Sequence, residues 1–246
     1  MNDIITALGA AAKSLFHPKI LAIVLWPMVF ALLLWGVLAW VFWADWLAML
    51  NHWIQPAELF LSQYDFTWVA SALTVTLLLL MIAPLALTTA LLIAAVVAMP
   101  MMVNHVAKRD YADLVRLHGG TVMGSIWNAL VAVGVFIGLW LVTLPFWLAA
   151  GLGVVFSVLL TAYLNQRLFR YDALAEHASR EEFDTILAQS GGSLYGMGLL
   201  LALLHFVPVI NLFSPIYTGL AYIHFGLAKL RVLRNQEQRN VDKTLV

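Results

Sequence analysis

The chain has 246 residues, of which 63% are hydrophobic and only 11% are charged, and its mean hydropathy is +0.91. Soluble domains carry about 25% charged residues, so this composition predicts an integral membrane protein. Thirteen basic and 13 acidic residues leave no net charge to attract nucleic acid, and the absence of cysteine excludes disulfides, thiolate metal sites and thiol catalysis.

The first 17 residues predict an amphipathic helix rather than a cleavable signal peptide. Asp3 interrupts the apolar character early, and no Ala-x-Ala-type cleavage site ends a short apolar core. Two placements remain open for this helix: within the membrane interface, or packed against the bundle on the cytoplasmic side. The apolar positions that recur at helical spacing are Ile4, Ile5, Leu8, Ala11, Leu15 and Phe16.

Two long apolar runs follow, at residues 20–44 and 67–103, and no Lys or Arg occurs between Lys19 and Lys108. Each run exceeds the ~20 residues with which a helix crosses a bilayer, so both are predicted to span the membrane. Proline disturbs helical hydrogen bonding, and the second run should therefore kink and project into the cytoplasm. Its two prolines are Pro84 and Pro100.

The connector between these runs carries acidic residues but no base. Because Lys and Arg concentrate in cytoplasmic loops, we expect the connector on the outer side, as a helix resting on the interface. Its acids are Asp45, Glu58 and Asp65. The aromatic residues that would form an outer belt around it are Trp40, Trp43, Trp46, Trp53, Tyr64 and Trp68.

Two further uncharged stretches, at residues 117–166 and 185–228, are flanked by basic or mixed-charge segments. Each should therefore leave the cytoplasmic side and return to it as a helical hairpin, with turns at residues 145–153 and 208–215. The leading arm of the second hairpin, residues 193–207, is 15 residues long. That is roughly 22 Å of helix, short of the ~30 Å core. We therefore expect the second hairpin to re-enter the membrane, whereas the first is compatible with spanning or re-entry.

A glycine pair opens each hairpin, as GGT at residues 119–121 and as GGS at residues 191–193. In both cases the pair is expected to break the chain just before a helix N-cap, a position that Thr and Ser favour. An internal pseudo-repeat and a chance match both explain so short a similarity.

Arg167 and Arg170 lie three residues apart, on one face of the helix that ends the first hairpin. They can attract an anion or pair with Asp172. Ordinary anchoring at the cytoplasmic face explains them equally well.

The turn of the second hairpin contains neutral hydrogen-bond donors. Pro215 suits the first turn of a helix, with Ser214 as its N-cap. Re-entry would place this helix start inside the membrane, where its free N–H groups and positive dipole end can hold an anion beside Asn211. The alternative is a structural turn in which Asn211 satisfies nearby backbone groups.

No catalytic or cofactor motif occurs in the chain. It contains no P-loop, no His-Glu-x-x-His, no Gly-x-Ser-x-Gly and no pair of histidines four residues apart, so we predict no enzyme, metal site or cofactor. His205 and His224 are interpreted as hydrogen-bonded histidines within the bundle rather than members of a proton pathway. The Gly134-x-x-x-Gly138 pattern predicts close helix packing.

Three stretches of the chain form a recognisable set: HPKILAIVLWP at residues 17–27, NQRLFRYDALAEHASREEF at residues 165–183 and FVPVINLFSPIYTGLAYIHFGLAKLR at residues 206–231. Together they resemble the CysZ-type sulfate permease family, the bacterial branch of the etoposide-induced-protein domain family. The resemblance implies two long membrane helices with hairpins that penetrate only partly, oligomeric assembly, and sulfate uptake for cysteine synthesis.

The family builds its sulfate site on a Gly-x-Arg motif that follows a proline at the start of the first long helix. Here Pro18 is followed by Lys19, Ile20 and Leu21, so lysine replaces the glycine and leucine replaces the arginine. Lys19 supplies a charge but not a bidentate guanidinium contact. The resemblance therefore implies an anion site at residues 19–21, and the altered motif leaves room for an anion other than sulfate.

The sequence thus predicts an all-α membrane protein with a single membrane domain at residues 1–235 and a polar cytoplasmic tail at residues 236–246. It is expected as a multi-pass homo-oligomer in the bacterial inner membrane, with both termini cytoplasmic. The functional hypothesis is transport of a small inorganic oxyanion such as sulfate; the alternative is a non-transporting scaffold or lipid-handling protein. The candidate substrate-binding residues are Lys19, Ile20, Leu21, Arg167, Arg170, Asn211 and Ser214.

Overall fold

The computed structural model describes residues 2–63, 67–93, 97–148, 151–211 and 213–244, and all regular structure in these ranges is helical. This confirms the all-α prediction. The α-helices are α1 (Asn2–Leu15), α2 (Pro18–Ser62), α3 (Thr67–Ile93), α4 (Met99–Asp110), α5 (Val122–Thr143), α6 (Leu152–Leu174), α7 (Arg180–Leu203), α8 (Pro208–Asn211) and α9 (Ser214–Thr244). Helices long and apolar enough to cross a membrane occupy Pro18–Pro56, Ser71–Ala90, Met123–Trp147, Leu152–Leu174 and Arg180–Phe206.

Two compact units divide the chain. The larger unit comprises Met1–Leu21 and Met99–Val246, and the smaller unit comprises Ala22–Ala98. This division concerns contacts within the chain, so the single membrane domain at residues 1–235 stays a prediction. The helix α9 continues to Thr244 with exposed side chains from residue 235 to residue 243, and the predicted polar tail is therefore helical over its described part.

In the smaller unit α2 and α3 run antiparallel. Trp35 Nε1 donates a hydrogen bond to Thr89 Oγ1 (3.0 Å), and Thr74 Oγ1 donates to Asn51 Oδ1 (3.0 Å). An early residue of α2 thus meets a late residue of α3, as in a helical hairpin.

The helix α2 extends through the segment that was predicted to be a connector. It continues for 45 residues to Ser62, about 68 Å at 1.5 Å per residue, so the prediction of a separate interfacial helix was wrong. The reason is local: after Gly36 no glycine interrupts the helix, and Pro56 lies inside it without ending it. The predicted belt residue Tyr64 and the acidic Asp65 lie outside the described residues.

The second apolar run forms two helices. The helix α3 passes through Pro84 without ending, and α4 begins at Met99. Pro100 is the second residue of α4. Pro84 does not end its helix, and residues 94–96 lie outside the described residues, so the predicted kink and projection into the cytoplasm stay a prediction.

The core of the larger unit is α9, which packs against α1, α4, α6 and α7. Residues 220–227 are buried on every face of the helix. Gly198 of α7 permits a close approach, because a Cβ there would lie 2.8 Å from the Ala162 carbonyl oxygen and 2.9 Å from Tyr222 Oη. Tyr222 Oη in turn donates to the Leu194 carbonyl (2.9 Å).

Both predicted hairpin turns are confirmed in their described parts, but the second glycine pair is not a break. Residues 191 and 192 lie inside α7, so the leading arm is a 24-residue helix that begins at Arg180. A capping box at Ser179 nucleates this helix, and the two glycines weaken it only slightly. The predicted 15-residue arm was therefore wrong, because 24 residues give roughly 36 Å of helix, enough to cross the hydrocarbon core. Leu212 lies outside the described residues, and the depth to which this hairpin enters the membrane stays untested.

The glycine pattern on α5 does not mediate packing within the chain. A Cβ added at Gly134 or Gly138 would meet no atom within 4 Å. The pattern predicted close packing at these two glycines, but within the described residues no other helix packs closely against them.

The helix α1 packs on α9, as one of its two predicted placements requires. Ser14 Oγ hydrogen-bonds His224 Nε2 (2.9 Å), Lys229 pairs with Asp3 (2.7 Å), and Tyr217 Oη donates to a backbone carbonyl of α1 (3.0 Å). His224 is thus hydrogen-bonded within the bundle, as interpreted from the sequence. Ile5 of α1 and Phe16, directly after this helix, remain exposed.

Arg234 joins three segments that are remote in the sequence. It donates to both carboxylate oxygens of Glu182 (2.7 and 3.0 Å) and to the carbonyls of Val115 and His177 (both 2.8 Å). The basic segment after α4, the turn before α7 and the end of α9 therefore lie together. Both hairpins consequently begin and end on one side of the larger unit.

Acidification is expected to destabilise the protein through His177. This side chain is buried with no hydrogen-bond partner for Nδ1, and desolvation, followed by nearby Arg116 and Arg234, lowers its pKa from 6.5 to about 4. The unfolded chain binds a proton near pH 6.5 while the folded histidine stays neutral, so stability is lost as pH falls from 6.5 towards 4.

The expected loss from this histidine is roughly 2 kcal/mol between pH 7 and pH 4.5. Thermal unfolding of detergent-solubilised protein over that range measures it, and His177→Gln should show a weaker pH dependence. An unchanged slope in the variant would assign the acid sensitivity to other groups.

Candidate functional site

A cavity of about 450 Å³ lies in the larger unit, where α5 begins, α6 ends and α7 begins. Two of its lining residues, Arg167 and Arg170, are candidate residues from the sequence. The other polar lining side chains are Thr121, Asn128, Tyr171, Ser179, Arg180 and Asp184. The large apolar ones are Trp127, Val131, Leu174, Phe183 and Leu187.

The first glycine pair shapes one side of this cavity. Gly119 N donates to the Ala178 carbonyl (2.9 Å) and Gly120 N to the Ala175 carbonyl (2.8 Å). A Cβ at Gly119 would lie 2.3 Å from the Ala178 oxygen, so only glycine permits this approach. The predicted break is confirmed here, and Thr121 caps α5 by accepting a backbone hydrogen bond from its first turn (3.0 Å).

The two candidate arginines bring positive charge to the cavity without a carboxylate partner. Arg170 Nη1 donates to Gln166 Oε1 (2.7 Å), and Arg167 Nε is buried with no hydrogen-bond partner. Within the described residues neither arginine forms an ion pair, so the predicted alternative of pairing with Asp172 is not made. Partly buried cations without counter-ions favour binding of an anion.

Residues 19–21 lie at the start of α2 and do not line the cavity. Their backbone N–H groups are already engaged: those of Ile20 and Leu21 donate to the His17 carbonyl (2.9 and 3.1 Å), and that of Lys19 donates to His17 Nδ1 (3.3 Å). Ile20 is fully buried, whereas the Lys19 side chain is exposed. An anion can reach the lysine charge here, but it must displace His17 to reach these N–H groups.

A second histidine, His105, lies beside this helix start. The rings of His17 and His105 have centroids 4.8 Å apart, and His105 Nε2 is buried without a partner. Burial lowers the pKa of His105, and His17, Lys19 and Arg109 lower it further.

Asn211 and Ser214 occupy the turn before α9. Asn211 is exposed and ends the short helix α8, while Ser214 is fully buried with Oγ 3.4 Å from His205 Nδ1. The predicted cap is corrected by one residue, since Ser214 is the first residue of α9. Thr218, one turn further on, is buried and its Oγ1 has no hydrogen-bond partner.

Of the seven candidate residues, only Arg167 and Arg170 line the cavity. Among the other lining residues, sequence reasoning missed Trp127, Asn128 and Arg180 as members of a site. Asn128 had a usable signal, because it is a lone amide in an apolar run, and its Nδ2 donates to the Arg167 carbonyl (2.9 Å). Trp127 and Arg180 had none, because only the packing of α5 and α7 against α6 brings them to the arginines.

The profile of the family described as Sulfate transporter CysZ/Etoposide-induced protein 2.4 matches residues 7–215. The chain belongs to this family. All seven candidate residues fall within the matched range. Comparison with curated proteins and with solved structures finds no significant match. Among the described residues, no group of three or more acidic or histidine side chains is arranged to hold a metal ion.

Proposed function

We propose that the protein transports a small inorganic oxyanion, sulfate by its family, across the bacterial inner membrane. The observation that carries the proposal is the cavity in which Arg167 and Arg170 lie without carboxylate partners. Paired guanidinium groups suit tetrahedral oxyanions, because each can donate two parallel hydrogen bonds.

In this mechanism the anion is dehydrated at helix starts and leaves through the arginine cavity. Lys19 attracts it at the start of α2, and Ser214 and Asn211 offer neutral donors before α9. Arg167 and Arg170 receive it on the cytoplasmic side, where Arg116, Arg180 and Arg234 follow the positive-inside rule. Both termini are then cytoplasmic, and the working unit is a homo-oligomer.

The chain carries no nucleotide-binding motif, so uptake uses the gradient of the anion, a coupled ion or a partner protein. No cofactor is required by this mechanism. The protein carries out this transport within the lipid bilayer.

A scaffold or lipid-handling function is the second candidate. Two observations favour it: the apolar side chains in the cavity lining, such as Trp127 and Leu187, and the rarity of charged residues within the predicted spans. Transport pathways are often marked by intramembrane ionisable groups, and this chain concentrates its charges at helix ends.

Radiolabelled sulfate uptake into proteoliposomes tests the proposal, with other oxyanions as competitors. We expect saturable uptake above that of empty vesicles, lowered about fivefold by Lys19→Glu because the reversed charge repels the anion. Lys243→Glu, at an exposed position, is the matched control. Lys229 is unsuitable as a control because it forms an ion pair with Asp3, which the substitution would break. Uptake equal to empty vesicles for every oxyanion would reject transport; equal effects of the two variants would remove Lys19 from the path.

A further inference from the structure

We propose that the arginine cavity binds the phosphate of an anionic phospholipid, with the acyl chains lying along α5. The lipid phosphate would bind the same arginines that the proposed transport path uses, so a lipid and a departing oxyanion would compete for this cavity. The ligand chemistry is a phosphodiester attached to an apolar body.

The first argument is size. A cavity of about 450 Å³ falls in the 300–1,000 Å³ range typical of sites for organic ligands. An inorganic oxyanion held by Arg167 and Arg170 would leave most of it empty. The remaining space is lined largely by apolar side chains, including Trp127, Val131 and Leu187.

The second argument is charge. Arg167, Arg170 and Arg180 line the cavity against a single lining carboxylate, Asp184. Arg167 Nε is buried without a hydrogen-bond partner. Basic pockets between membrane helices on the cytoplasmic side are typical binding sites for anionic lipid headgroups.

The third argument is the path that leaves the cavity along α5. Trp127, on the cavity rim, is 68% exposed, and Val131, Gly134 and Gly138 follow it on the same helical face. A Cβ at either glycine would meet no atom within 4 Å, so this face is a shallow strip along a predicted span. Such a strip accommodates an acyl chain whose headgroup lies in the cavity.

The fourth argument is depth. The cavity lies at the first turn of the Met123–Trp147 span and at the last turns of the Leu152–Leu174 span. Two predicted spans thus end beside it, which is the level of lipid headgroups rather than of hydrocarbon. A lipid phosphate can reach Arg167 and Arg170 without leaving the bilayer.

Fluorescence quenching by brominated lipid tests the site through Trp127. Purified protein in detergent is titrated with brominated phosphatidylglycerol or brominated phosphatidylcholine, and the Trp127 signal is the difference between the wild-type chain and Trp127→Phe. We expect saturable quenching of Trp127 with at least about tenfold preference for the anionic lipid. Arg167→Gln/Arg170→Gln should abolish that preference, whereas Arg239→Gln, on the exposed end of α9, should retain it.

Arg180→Gln provides a milder variant at an exposed position if the double variant fails to fold, and it should weaken the preference severalfold. Equal quenching by the two lipids would overturn the proposal. Full displacement by free glycerol phosphate at matched concentration would assign the site to a soluble phosphate ester instead of a lipid. Because binding is measured without transport, absence of sulfate uptake leaves this result unaffected.

Discussion

Replacing Arg170 with glutamine is expected to lower the initial rate of sulfate uptake by about ten- to 100-fold. The guanidinium lines the cavity and has one neutral partner, Gln166, so its charge is available to an anion. Losing a charge-assisted hydrogen bond costs about 1.5–3 kcal/mol, which corresponds to this range of rates if the anion passes the cavity. Proteoliposome uptake at sulfate concentrations below saturation measures the effect.

The conservative variant Arg170→Lys separates charge from geometry. Lysine keeps the positive charge but cannot form a bidentate contact, so we expect an intermediate rate. Arg239→Gln removes an exposed charge that does not line the cavity and should transport normally. Wild-type rates in Arg170→Gln, at equal protein incorporation, would exclude the cavity from the anion path.

Replacing Arg234 with methionine is expected to destabilise the larger unit by about 3 kcal/mol. Its side chain is 18% exposed and that of Glu182 is 10% exposed. The change leaves a poorly solvated carboxylate without its partner and removes donors from the carbonyls of Val115 and His177. Unfolding in mixed micelles with increasing dodecyl sulfate, followed by tryptophan fluorescence, gives the free energy of unfolding.

Arg109→Met is the matched control, because its pair with Asp110 is on the surface with side chains 40% and 32% exposed. Exposed pairs contribute at most about 1 kcal/mol. Adding Glu182→Gln to Arg234→Met should recover part of the loss, since no unpaired carboxylate remains. If Arg234→Met costs no more than Arg109→Met, the three segments are held together by apolar packing alone.

Helix class and helix ends were predictable where one local signal dominates. The apolar runs predicted spanning helices, Gly119-Gly120 before Thr121 predicted the start of α5, and the basic segments predicted which helix ends lie together. The hydrogen bonds that Arg234 donates to Glu182, Val115 and His177 confirm that these helix ends lie together. Each prediction needed only hydrogen-bond geometry, apolar length or the distribution of charge.

Local signals gave wrong predictions where a helix continued through a segment that was expected to interrupt it. The pair at residues 191–192 matches the first glycine pair in type but lies inside α7, because the capped turns before it and the packing after it outweigh the small helical cost of glycine. The acidic connector became part of α2 for a local reason, since no glycine follows Gly36 in this helix and Pro56 lies inside it without ending it. For the second glycine pair, composition alone cannot decide, since the competing contacts come from other segments.

The sequence by itself determined that this is a helical membrane protein of the sulfate-transporter family, and it identified Arg167 and Arg170 as candidate anion ligands. Only the tertiary structure decided that these arginines share a cavity with Trp127, Asn128 and Arg180, and that His17 already engages the N–H groups at residues 19–21. The physical reason is that family and helix type follow from local residue patterns. Whether a charge meets a carboxylate, an amide or an open cavity depends on which helices pack against it.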